Sequence, residues 1–299
     1  MQPYHRQSSG RFPDQRASAS HRTSPRLPSH QLARELALFS ATTLHDLEAV
    51  ALQNRFDTKY LLAAEQVREM LPTLTRDYRV LEIDGRRQHQ YRTRYFDTSD
   101  FALYRRHHAN APVRHKVRSR QYVESGLSFF EIKARDADGR VMKTRQRTAS
   151  PLLGLGPAER ALLAAAVPTD SCAVEPTLSN DFCRITLAGR RTTERVTLDL
   201  GIQFAYDGRA AILPGVAIIE VKQGGADADS AVRRLMAERG ISATSISKYC
   251  LGVAMLVPGI ERVAFEPKLA AIEALRRGIT ASWPPSDDAS RRVRNRQHH

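Results

Sequence analysis

Basic residues recur at every second position in several short, β-prone stretches, and this spacing constrains the fold more than any other feature. In a strand, successive side chains leave from opposite faces, so residues two apart share a face. Arg114, Lys116, Arg118 and Arg120 therefore line one face of one strand. Glu131, Lys133 and Arg135 line one face of the next, and Lys143, Arg145 and Arg147 one face of a third. Apolar residues take the opposite parity: Val113 and Val117, then Phe130 and Ile132, then Val196, Leu198 and Leu200. Lysine is rare, seven of 46 basic residues, yet Lys59, Lys116, Lys133, Lys143, Lys222 and Lys248 all fall in such charged segments. The sheet these strands build has one oily face and one loaded with cations.

Two like charges about 4 Å apart repel by roughly 4 kcal/mol at an effective dielectric near 20. An open surface relieves this by splaying the side chains into water. An enclosed one needs an anion, because Asp57, Glu131, Asp199 and Glu220 are too few to neutralise the set. The charge is not an effect of the ends alone. Residues 1–34 hold +5, residues 35–50 hold −3 and residues 284–299 hold +2, so the central 51–283 still carry +10 of the total +14. Such a balance points to an anionic partner: nucleic acid, anionic lipid or a phosphate substrate.

At 299 residues and 41% hydrophobic content the chain can build a sizeable core, and no apolar run reaches the length of a membrane span. A cytoplasmic protein is expected, since Cys172, Cys183 and Cys250 are odd in number, lack metal-site spacing and suit a reducing compartment as buried, inert thiols. Residues 1–34, rich in Arg, Ser, Pro and Gln, and residues 281–299 read as disordered tails around a domain at 35–280. The first stretch also shares Arg and Ser with transit segments, but no amphipathic apolar stripe accompanies it.

A helical apolar pattern covers 31–52 and another 64–74. Strands are predicted at 54–62, 77–84, 89–97, 112–123, 127–136, 140–148, 178–188, 192–201 and 215–222, with turn signals at Asp84-Gly85, Ser125-Gly126 and Asp138-Gly139. Helices are predicted at 99–107, 157–167, 227–239, 246–256 and 267–276. The reading is an α+β domain whose antiparallel strands close into a barrel or tunnel, which also removes the exposed strand edges. Asp97 and Asp100 are read as helix caps, Tyr60, Tyr95 and Tyr104 as core or rim, and His107-His108 as an exposed pair. Asp57 is expected to pair with Arg55 or Arg92.

The ordered series RFDTKYLL, RYFDT, VRHKVRSRQY, FFEIKARDADGRVMKTR, FCRI, ERVTLDL, IIEVKQ and SISKYCLG resembles the VTC-type polyphosphate polymerase domain of the CYTH, or triphosphate tunnel, superfamily, over about residues 50–258. The resemblance implies an eight-stranded antiparallel tunnel with flanking helices, and phosphoryl transfer from a nucleoside triphosphate such as ATP to inorganic polyphosphate. Carried over by motif, the catalytic residues it implies are Lys59, Arg118, Arg120, Lys133, Arg184, Arg195 and Lys248. Glu220 is the implied ligand of a divalent ion, Mn or Mg. Lys116, Arg94, Lys143, Arg145 and Lys222 are the further candidates for substrate contact. Two departures stand out. Hydrolytic members open with E-x-E-x-K, whereas this chain reads Arg55, Asp57 and Lys59, which fits the polymerase branch. An aromatic-x-Arg element reads Phe182-Cys183-Arg184 in place of a tyrosine.

Phosphoryl transfer asks mainly for positioning and for charge around the phosphoryl oxygens, and no triad or P-loop is present to suggest other chemistry. The residues leave open a tunnel triphosphatase, or a non-catalytic module binding polyphosphate, inositol phosphate or RNA. RNA calls for aromatics interleaved with cations. Only Tyr122 and Phe129-Phe130 come near, and alternation sends Phe130 to the oily side, so no specific nucleic acid is expected.

Overall fold

The computed structural model describes residues 29–49, 56–167, 173–225 and 229–278. Arg55, Cys172 and most of the two predicted tails lie outside them. Eight strands form one antiparallel path in the order β2 (Phe56–Ala63), β11 (Val216–Gln223), β9 (Glu194–Tyr206), β8 (Glu175–Gly189), β4 (His89–Asp97), β5 (Arg114–Tyr122), β6 (Ser128–Arg135) and β7 (Val141–Thr148). Three short strands attach to it: β1 (Ala41–Thr42), β3 (Tyr78–Leu81) and β10 (Arg209–Leu213).

The predicted parity is the parity observed. Val117 lies opposite Ile132, whereas Arg118 lies opposite Glu131, which lies opposite Arg145. The oily face is covered by two helical layers. Tyr60, Leu62, Ile185, Leu187, Val196, Leu198 and Ile219 pack under α1 (Ser29–Ala37), α3 (Ala64–Leu74) and α6 (Ala231–Glu238). Phe96, Val117, Phe130 and Ile132 pack under α5 (Pro157–Ala166). In α3 the stripe Val67, Met70, Leu71 and Leu74 recurs at helical spacing and is fully buried.

The other face is concave. Laid flat, β2 and β6 would stand six strand spacings apart, roughly 29 Å at about 4.8 Å each. Yet the Lys133 ammonium on β6 is depressed by burial and then by Lys59 on β2, while Asp57 and Glu220 pull it back up. The sheet therefore curls until its far strands are electrostatic neighbours. The result is a barrel-like tunnel, with no pairing between the edge strands β2 and β7 among the described residues.

One end of the concave side is filled. Tyr91, Tyr95, Leu178, Phe182, Phe204 and Ile218 pack there against α7 (Lys248–Leu256) and α8 (Glu266–Arg276). A Cβ on Gly252 of α7 would lie 2.4 Å from Leu178 and 2.7 Å from Phe204, so only glycine lets this helix sit so close.

Several expectations need correction. The 31–52 pattern is interrupted: α1 ends at Ala37, β1 intervenes, and α2 runs Leu44–Ala49. The first predicted tail reaches too far, because residues 29–34 belong to α1. Strand β10 was not predicted, although Asp207-Gly208, both at positive φ, is the type of turn that signals a hairpin.

Candidate functional site

The concave face is organised around three carboxylates, each tied to cations from neighbouring strands. Glu131 takes Arg118 Nη2 at 2.6 Å on one oxygen, and Lys143 Nζ at 2.6 Å with Arg145 Nε at 3.6 Å on the other. Burial would raise its pKa, but Arg118, Arg120 and Lys143 outweigh that and hold it well below the carboxylate range. Asp199 receives both Arg184 Nε at 2.6 Å and Arg184 Nη2 at 2.7 Å, together with the Lys248 ammonium. The same contest of burial against Arg184 and Lys248 leaves Asp199 at about 2. Glu220 meets Lys59 at 3.0 Å and the Lys222 ammonium, which keeps it ionised despite burial.

Local sequence places each of these groups. Lys248 opens α7, where Ser247 accepts the Cys250 N–H as N-cap, so the first turn aims the ammonium at Asp199. Between β8 and β9 the register shifts at Asp181/Cys183, with Gly201 at φ +59°, and beyond that bulge Arg184 comes directly opposite Asp199.

The remaining cations are less fully matched. Lys116, Lys133 and Lys143 form one rung across β5, β6 and β7. Neither Lys116 nor Lys133 forms an ion pair among the described residues, and burial pushes Lys116 down to about 8. Lys222 is likewise pushed to about 8 by burial, with Glu220 opposing. The Arg120 guanidinium donates to Thr93 Oγ1 at 3.2 Å and is lowered by burial and by Arg118.

Four rings form a ladder across β8, β4, β5 and β6 beneath these cations. Phe182 stacks on Tyr91 at 5.2 Å, Tyr91 meets Tyr122 at 4.8 Å, and Tyr122 meets Phe129 at 5.8 Å. Arg184 lies 4.9 Å over Tyr91, Lys248 4.6 Å over Phe182, and Arg145 3.4 Å over Phe129. Sequence spacing brings only Tyr122 and Phe129-Phe130 near the cations, and the structure adds Tyr91 and Phe182. Tyr91 and Phe182 share the parity of Thr93 and Arg184, which was the signal available.

The structure thus brings together Lys59, Lys116, Arg118, Arg120, Lys133, Lys143, Arg145, Arg184, Lys222, Lys248 and Glu220. Arg195 lies on the same face, opposite Lys222, but its guanidinium donates to the Leu47 carbonyl of α2. Arg94 does not belong: it lies opposite Ser119 and Ser179, on the parity of Phe96, and leaves from the outer face. Asp57 lies opposite Lys222, and Arg92 reaches Asp181 instead, at 3.8 Å.

Asp97 caps α4 (Ala102–His108) as expected, accepting from the Leu103 and Tyr104 backbone N–H groups. His107 is not an exposed residue; it is packed near Lys116, pushed to about 2 by burial and Lys116, and its Nε2–H donates to the His115 carbonyl. Burial lifts the Cys183 thiol to about 12 and raises Cys250, so both are inert at neutral pH.

Among the described residues no cluster of three His, Cys, Asp or Glu side chains is placed to hold a metal alone. Glu220, with Asp57 diagonally across on β2, offers two carboxylates at most. That set fits a Mg- or Mn-like ion only where phosphate and water complete the shell. No helix among the described residues is long and apolar enough to cross a membrane.

No curated protein matches the chain. Among solved structures, a candidate adenylate cyclase from Vibrio parahaemolyticus is 15% identical, with 66% of this chain and 97% of that one covered at a TM-score of 0.39. A Hippeastrum protein described as a candidate adenylyl cyclase with a dominant triphosphatase activity is 17% identical, with 68% and 97% covered at a TM-score of 0.43. Likenesses of that size carry no argument about activity. The family model of the VTC domain, in contrast, matches residues 54–153 and 164–257, well over half of the 299 residues. The match runs from β2 to α7 and takes in every cation of the concave face described above, so the chain belongs to the VTC-domain family.

Proposed function

We propose that this protein is a polyphosphate polymerase, transferring the terminal phosphate of a nucleoside triphosphate, ATP for preference, to a growing inorganic polyphosphate chain inside the tunnel. The observation that carries the reading is the length and continuity of the cationic track. Arg114, Lys116, Arg118 and Arg120 alone span about 20 Å of β5 at roughly 3.3 Å per residue. Lysines continue it onto β6 and β7, beyond what one triphosphate needs. Membership of the VTC-domain family supports the same reading.

In this mechanism the bond between the β- and γ-phosphoryl groups of the donor breaks. A terminal oxygen of the acceptor chain forms the new P–O bond, and the nucleoside diphosphate leaves. The nucleophile is already anionic, so the chain supplies no general base. Arg118, Arg120 and Arg184 offer forked donors for phosphoryl oxygens, and Lys59 and Lys248 add point charges. Lys116, Lys133, Lys143 and Lys222 hold the polymer. Asp199 and Glu131 fix the guanidinium planes before substrate arrives, which is the pre-organisation that electrostatic catalysis depends on. A divalent ion held by Glu220 with Asp57 would supply charge neutralisation and Lewis-acid polarisation at the phosphate oxygens.

The test is stoichiometric. Purified protein with ATP and Mn²⁺ is expected to release nucleoside diphosphate with little free phosphate, because the phosphoryl groups enter polymer. One phosphate freed per diphosphate would make the protein a triphosphatase, and no diphosphate at all would leave a binding module.

A further inference from the structure

We propose that Tyr122, Phe129 and the Arg145 guanidinium form a stacking seat for the nucleobase of the donor, at the tunnel mouth beside the turn between β5 and β6. The inference deepens the polymerase reading and takes from it only the choice of a nucleoside triphosphate as ligand.

The aromatic ladder divides into two halves of different character. Phe182 and Tyr91 are 1% and 9% exposed, so they have no surface to offer a ligand. Tyr122 and Phe129 are only half-buried. Arg145 lies 3.4 Å from the Phe129 ring centre, its Nη2 donates to Tyr122 Oη at 3.3 Å, and its side chain is 40% exposed. Aromatic rings and stacked guanidinium planes are the surfaces on which proteins seat bases, because every base has a π-face.

The register supplies the direction. Phe129 lies directly opposite Arg120, and the next concave rung is Arg118 with Glu131 and Arg145. A triphosphate attached to a base seated on Phe129 would meet Arg120 and Arg118 first. The rung of Lys116, Lys133 and Lys143 contains no ring, as suits an acceptor made of phosphate alone. Two half-buried rings capped by one guanidinium plane seat one base and not a strand, which agrees with a mononucleotide and not with RNA.

The experiment compares ATP with inorganic tripolyphosphate, which keeps the phosphate chain and lacks the base. Binding of each is measured by calorimetry in EDTA, to the wild-type protein and to Phe129→Ala. Stacking on one ring predicts a loss in ATP affinity of about fivefold or more, with tripolyphosphate affinity changed less than twofold. Phe129→Trp should retain ATP affinity, and its indole fluorescence should be quenched by ATP but not by tripolyphosphate. An equal loss of both ligands would mean that the ring only positions Arg145, and no loss of ATP affinity would mean that it contacts nothing; either result overturns the proposal. Because binding alone is read, failure to make polymer would overturn the polymerase reading and leave this result standing.

Discussion

Arg184 and Lys248 reach the concave face from different elements, one from β8 and the other from the first turn of α7, and a single carboxylate holds both. Asp199 is 2% exposed, and removing its charge leaves two cations facing each other in a poorly solvated wall. Breaking a buried pair of this kind costs about 3–5 kcal/mol. Asp199→Asn should therefore shift the urea midpoint down by that equivalent, and added tripolyphosphate should stabilise the variant more than the wild type. An unchanged midpoint would mean that the carboxylate does not organise the site.

A second residue-scale effect concerns pH. Burial lowers Lys116 and Lys222 from 10.5 to about 8. Each folded-state pKa lies below the unfolded value, so unfolding takes up protons between about pH 8 and 10.5, and these two groups make the empty protein more stable as pH rises through that window. Anion binding should have the opposite sign, because the same rise discharges two cations of the concave face. Tripolyphosphate affinity should fall from pH 7.5 to pH 9, and Lys116→Arg, which stays charged, should flatten the fall. An affinity that holds constant across that range contradicts the assignment.

At this scale the alternation of residues two apart was enough to find the wall. It also held the correction to Arg94, since Phe96 on the same parity marks the oily side. The pairings could not be read, because Asp199 and Lys248 are 49 positions apart and meet only through the tertiary fold.

At the scale of elements, α7 sets where Lys248 stands, and Gly252 sets where α7 stands. Gly252→Ala places a methyl group against Leu178 and the Phe204 ring, at separations that force the helix or the ring to shift. Overpacking of this type costs about 1–3 kcal/mol. The variant should melt at a lower temperature and lose activity beyond its loss of folded protein, since the helix carries Lys248 with it. A variant that melts lower but keeps full specific activity would show that α7 need not be fixed.

Element types were legible because binary patterns of period two and 3.6 are long here, as in 114–120 and 64–74. The break of the 31–52 pattern into α1, β1 and α2 was not. There, pairing of Ala41 and Thr42 with β3 overrides a local helical preference through a non-local contact. Strand β10 was missed although its Asp-Gly turn was visible, and β9 extends past Gly201 because a bulge absorbs the glycine.

In the whole molecule the two faces of the sheet divide the work. The curled concave face is a continuous cationic path, and the convex face is its support. Charge alternation in the sequence implied the path. Its curvature became visible only once Lys133 and Lys59, six strands apart in order, proved to be neighbours. The most direct measurement is a gel of the products formed from ATP and Mn²⁺, stained for polyphosphate, with wild type, Arg118→Ala and Arg94→Ala run together. The wild type should give a ladder of nuclease-resistant polymer, and Arg94→Ala a near-normal one. Arg118→Ala should lose about 10³-fold or more in rate, as for an arginine acting directly on a transferred phosphoryl group. No polymer from the wild type, or equal losses in the two variants, would contradict a polymerase whose catalytic wall is the concave face.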